Sequence, residues 1–198
     1  MSLVKTILTI LILGIPLNAY VPRRVVSPAG LVLERWADAS FPVVWRLNPA
    51  VQGSNVSGGR SPADVFRSSF QAWSSVATAR VSFEEGAASA VTNAALDQVN
   101  LISLVPTQYG PDALSLTVIY SCAGSSADPA ACGGKFPGQI LEADILFNPA
   151  VAFSTDVSTP ANAVDLQSRA MHEIGHLLGL DHSGLLSSVM FPAIPAGA

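Results

Sequence analysis

An α+β domain is the fold class this chain predicts, and three observations carry the prediction. Short runs rich in β-branched and aromatic residues recur along the chain, as strands do. Two longer stretches space their apolar residues as helices do. Their order is strand, helix, several strands, helix, which gives α+β. With 198 residues, 49% of them hydrophobic, one domain with a substantial core is the default. A formal net charge of −4, with 12% charged residues, offers no basic field for nucleic acid and no polybasic membrane patch.

At the N-terminus, Lys5 precedes the apolar run Ile7 to Leu17, and Ala19 is a small residue suited to cleavage before Tyr20. Residues 1–19 therefore read as a signal peptide. The run falls short of the roughly 20 apolar residues that span a bilayer, so no stable membrane association is expected after cleavage. Residues 20–198 form the expected mature domain, secreted and monomeric.

Tyr20 to Ser40 is a short mixed segment, and Phe41 to Leu47 (FPVVWRL) reads as a strand that Asn48-Pro49 ends. After a Gly/Ser/Asn loop, Ser61 and Pro62 supply an N-cap and a first-turn proline. Val65, Phe66, Phe70, Trp73 and Val76 then recur at helical spacing, as the stripe of a core-packing helix. Arg80 to Glu84, Gln98 to Val105, Leu114 to Tyr120 and Gln139 to Phe147 are the next expected strands. Between the last two lies a Gly/Ser/Ala-rich loop with both cysteines. In an oxidising compartment Cys122 and Cys132 are most simply one disulfide, with two free thiols as the alternative. Thr159-Pro160 opens the second expected helix.

That helix carries the most specific signal in the chain. Met171 to Pro192 (MHEIGHLLGLDHSGLLSSVMFP) holds all three histidines within an eleven-residue window. On a helix His172 and His176 stand one turn apart on one face, with Glu173 bordering the same pocket. Gly179 takes positive φ at low cost, ends the helix, and lets the chain bring His182 round as a third ligand. Three imidazoles suit one catalytic zinc, which keeps an open position for water. Zinc lowers the pKa of that water from about 15.7 to about 7, and Glu173 is placed to accept its proton as general base in a hydrolysis.

The pattern H-E-x-x-H-x-x-G-x-x-H followed by a Met-turn resembles the metzincin metalloproteases, matched at His172, Glu173, His176, Gly179, His182 and Met190. Ser183 and the run Ser188 to Pro192 are similar to the matrixin pattern within that clan. The resemblance extends to Phe70 and Trp73 and to the strand Glu142 to Asn148. It implies a mostly antiparallel twisted sheet with a core helix and a zinc-motif helix. It also implies that Met190 forms an apolar floor beneath the zinc, and that Phe191 and Pro192 wall the pocket for the substrate side chain after the scissile bond. A protein or peptide substrate then adds to the sheet edge at Leu114 to Tyr120 by main-chain hydrogen bonds.

The departures bear on metal and latency. The chain has neither a fourth histidine for a structural zinc nor a cysteine before Cys122 for a latency switch, so one zinc is expected. Calcium is the second ion to which acidic loop side chains near Asp144 or Asp156 offer oxygen ligands. The chain ends eight residues after Met190, whereas matrixin-like domains carry a further helix there, so a C-terminally shortened domain is an open alternative. Two other functions stay open: a zinc amidase or esterase on a small substrate, and a zinc-binding module without catalysis.

Overall fold

Five strands, drawn from both halves of the chain, build the central sheet. The computed structural model describes residues 20–28, 30–48, 50, 55–110, 113–122 and 132–193. The expected signal peptide at 1–19 lies outside these residues. The N-terminal stretch carries β1 (Val21–Pro22) and a hairpin of β2 (Arg24–Ser27) and β3 (Gly30–Leu33). Then come β4 (Val43–Leu47), β5 (Val56–Ser57), helix α1 (Pro62–Ser74), β6 (Phe83–Glu85) and β7 (Asn100–Ser103). The second half carries β8 (Ser115–Ser121), β9 (Ile140–Phe147), β10 (Phe153–Ser154), β11 (Val164–Asp165), helix α2 (Leu166–Leu177) and β12 (Leu180–Asp181).

The main sheet has the order β6-β4-β7-β9-β8. It is mixed rather than mostly antiparallel: β4 runs parallel to β6 and β7, and β7 parallel to β9, while β8 alone is antiparallel, against β9. The connections explain the difference. Parallel neighbours need long crossovers, and α1 joins β4 to β6 while the whole of β8 intervenes between β7 and β9. The antiparallel pair is joined by the cysteine loop, which a Cys122–Cys132 disulfide ties.

Ser61 caps α1, its hydroxyl accepting from the Asp64 N–H at 3.4 Å, with Pro62 at the first helical position. Val65, Phe66 and Phe70 are buried, and Phe70 stacks on Trp45 of β4 at 4.6 Å between ring centroids. Val76 lies past the end of α1 and is exposed, so the expected stripe stops at Trp73. Trp73 Nε1–H donates to the Met171 carbonyl at 2.9 Å, which fixes α1 against α2.

Helix α2 starts later than Thr159-Pro160 suggests. Val164 and Asp165 first pair in parallel with β10, and Asp165 then caps the helix by accepting from the Ser168 N–H at 2.6 Å. Strand β9 is almost wholly buried because both of its faces are covered. Ala143, Ile145 and Phe147 belong to the core. Glu142 and Asp144, each 1% exposed, lie under the loop that precedes β7. Asp144 accepts the N–H groups of Leu101 (2.9 Å) and Ala95 (3.1 Å), and Glu142 accepts those of Asp97 and Gln98. Burial pushes the Asp144 carboxyl up to about 7, against the pull of its N–H donors and with the Glu142 and Asp97 charges adding to the rise.

Candidate metal centre

The i, i+4 spacing of His172 and His176 on α2 sets their ring centroids 4.7 Å apart. His172 Nδ1–H donates to the Val189 carbonyl at 2.9 Å, and His176 Nδ1–H donates to the Leu180 carbonyl at 2.8 Å. A carbonyl only accepts, so both rings carry their proton on Nδ1 and turn a bare Nε2 lone pair inward. Gly179, at φ +88°, ends the helix turn, and its N–H donates to the His176 carbonyl at 2.8 Å. A Cβ there lies 2.3 Å from the Glu34 carbonyl oxygen, so the turn requires glycine on two counts.

That turn leads into β12 and brings His182 back. The Nε2 atoms of the three histidines form a triangle with sides of 3.1, 3.2 and 3.3 Å. Tetrahedral ligands at zinc–nitrogen distances of about 2.0–2.1 Å stand about 3.3 Å apart, so the donor set fits one zinc ion. Among the described residues this is the one group of three His, Cys, Asp or Glu side chains whose ligand atoms gather within 4.8 Å. Burial, and after it the Arg169 charge, lowers the His172 pKa to about 4; burial and His176 lower that of His182. Both shifts keep these imidazoles neutral, as ligation requires.

Other segments brace the centre. Strand β1 pairs with β12, Val21 opposite Asp181, and the Arg23 N–H donates to the Gly179 carbonyl at 2.8 Å. Arg23 also pairs with buried Glu34 at 2.7 Å. Met190 is buried beneath α2, where a Cβ on Gly175 lies 2.2 Å from its Sδ, and its carbonyl accepts the Ser183 N–H at 2.8 Å.

A cavity of about 440 Å³ opens beside the histidines, bordered by His176, His182, Glu173, Arg169, β8 from Ser115 to Thr117, and Pro192. Pro192 lines it; half-buried Phe191 is not among its lining residues. Glu173 is 1% exposed, yet both of its carboxylate oxygens are engaged. Arg169 Nη2 and the Ser115 hydroxyl each donate to Oε1 at 2.7 Å, and the Thr117 hydroxyl donates to Oε2 at 2.6 Å. These three partners are absent from the sequence reading. Arg169 at i−4 from Glu173 is a legible helical ion pair. Ser115 and Thr117 become visible only once β8 is seen to turn that face toward α2. Nearby, burial and then the Glu173 charge push the Tyr109 hydroxyl up to about 12.

The acidic groups weighed for calcium have other work: both Asp144 oxygens accept backbone N–H groups, and Asp156 Oδ1 accepts the Gly59 N–H at 3.0 Å.

The arrangement is similar to that of the metzincins, and comparison narrows the likeness. Residues 128–197 match the family model of matrixin, Peptidase_M10, so the segment that holds the three histidines is similar to that of the matrixins. The chain is similar to metalloendoproteinase 5-MMP of Arabidopsis thaliana, 65% identical over 34 residues, which are 17% of this chain and 9% of that protein. It is similar to metalloendoproteinase 2-MMP of the same plant, 63% identical over 35 residues, 18% of this chain and 9% of the relative. Metalloendoproteinase 1 of Glycine max is 58% identical over 38 residues, 19% of this chain and 12% of the relative. The chain thus spans about a tenth of the length of these curated relatives in the matched stretches.

Proposed function

We propose that residues 20–198 form a secreted zinc-dependent endopeptidase, exported by the leader at 1–19. The observation that carries the reading is the juxtaposition of three inward-facing Nε2 atoms, a buried carboxylate and the outer edge of β8 around one cavity. His172, His176 and His182 hold the metal. Zinc bound there supplies Lewis-acid chemistry and lowers the pKa of a coordinated water to about 7. Glu173 accepts the proton of the attacking water and returns it to the leaving amine as the peptide bond breaks. Met190 packs beneath the ligand helix, and Pro192 stands in the wall of the side-chain pocket.

The edge strand favours a peptide over a small amide or ester. β8 ends the sheet, with no partner strand on its outer side among the described residues. An extended peptide adds there by main-chain hydrogen bonds, with its scissile carbonyl over the cavity.

The test compares the purified protein with Glu173→Ala on an unfolded protein substrate, with and without a chelator. Loss of the base lowers the rate by roughly a hundredfold or more, and chelation abolishes it. Turnover of small amides without protein cleavage supports the amidase reading. Zinc binding without turnover supports the non-catalytic module.

A further inference from the structure

Beside the histidines the structure holds a ring of hydrogen bonds closed on the Glu173 carboxylate. Arg169 stands one turn before Glu173 on α2, its side chain 9% exposed, and Nη2 donates to Glu173 Oε1 at 2.7 Å. Its Nε donates to Ser115 Oγ, which leaves the single serine hydrogen to point onward to the same Oε1 at 2.7 Å. Thr117, two residues along β8 and on the same strand face, donates to Oε2 at 2.6 Å. A carboxylate has about four lone-pair sites. Two donors fill Oε1 and one occupies Oε2, so one site remains, on Oε2.

We infer that Arg169 is a positioning residue for Glu173, an inference that rests on the peptidase reading above. With Ser115 it saturates Oε1, and with Thr117 on Oε2 it fixes the carboxylate so that the remaining site on Oε2 alone takes the proton. A buried carboxylate without such a partner is left as an uncompensated charge and is free to choose other rotamers. Donors already in place need no reorganisation during the reaction. Ser115 and Thr117 project inward from the strand whose outer edge receives the peptide, so substrate docking and alignment of the base share one element.

The test uses Arg169→Met, Arg169→Lys and Thr117→Val in the zinc-loaded protein. Arg169→Met lowers kcat by about a hundredfold with KM within about twofold and one zinc retained, because the lost interaction acts on the base and not on substrate binding. Lysine keeps the charge but lacks the planar fork that bridges Ser115 and Glu173, so Arg169→Lys recovers only part of the loss, about tenfold. Thr117→Val leaves Oε1 untouched and has the smaller effect on kcat.

A second readout needs no activity. In the metal-free protein Arg169→Met lowers the melting temperature, and most of that fall vanishes in the Glu173→Gln background, because the two groups act as a pair. A folded, zinc-loaded Arg169→Met with parental kcat overturns the inference. So do melting shifts that simply add, or equal losses in the Met and Lys variants accompanied by raised KM and lost zinc. An active parent with an indifferent Arg169→Met overturns only this inference, whereas a parent that hydrolyses nothing overturns the peptidase reading itself.

Discussion

Gly175, the residue between Ile174 and His176, shows how little slack the ligand helix has. A Cβ added there lies 2.2 Å from Met190 Sδ and 3.2 Å from Trp73 Cζ2, and Met190 is 1% exposed, so the thioether has nowhere open to go. Alanine gains about 1 kcal/mol of helix propensity over glycine. Overpacking a filled core costs about 1–3 kcal/mol. Gly175→Ala should therefore be destabilising by about 1 kcal/mol net, with Met190 displaced; a melting temperature at or above the parent's contradicts this packing. The sequence announces the histidines and Met190 through their spacing, but not this contact. Spacing reports what lies along one helix, whereas Met190 reaches Gly175 from a turn fifteen residues later. Glu173 shows the same boundary: the motif singles it out as the candidate base, but its partners Ser115 and Thr117 depend on a strand more than fifty residues upstream.

At the scale of elements, the helix start at Ser61 and the strand cores were readable because caps and period-2 runs are local signals. Strand direction was not, because it depends on which crossover places β7 beside β9. Nor was the reason for two acids in the middle of β9. Glu142 and Asp144 serve as acceptors that hold the segment from Ala95 to Leu101 onto the sheet, a role that alternation alone cannot show. This arrangement makes stability depend on pH with a definite sign. The Asp144 carboxyl titrates at about 7 in the fold, well above the carboxylate range of an unfolded chain. The folded state thus holds a proton that the unfolded state has lost. Its contribution is fully present below about pH 4, declines as pH rises, and is gone above about pH 7. Relative to Asp144→Asn, which keeps an acceptor but cannot ionise, the parent should lose on the order of 2 kcal/mol between pH 4 and 8. Urea midpoints of the metal-free proteins at several pH values check it, and a difference that stays flat across the window refutes it.

The whole molecule converges on the histidine cluster from widely separated parts of the chain: β1 pairs with β12, Val189 holds His172, α1 holds α2 through Trp73, and β8 holds Glu173. The unfolded chain has no such preformed site, so free energy of zinc binding becomes free energy of folding. A ligand at a thousand times its dissociation constant stabilises by about 4.1 kcal/mol, and about 2–4 °C per kcal/mol is typical for this chain length. Saturating zinc should therefore raise the melting temperature by roughly 10 °C over the chelated protein. All three histidines of the chain meet at this one centre, so elemental analysis of dialysed protein should return one zinc per chain. Proton competition adds a signature. His172 stays neutral down to about pH 4 in the metal-free fold, below its ordinary range, so its contribution to stability is present above about pH 6.5 and is lost as pH falls toward 4. Zinc, which binds the neutral rings, should become easier for a chelator to remove as pH drops and protons compete for the ligand nitrogens. Two zinc ions per chain, or a melting temperature indifferent to chelation, contradicts a single metal at the meeting point of these segments.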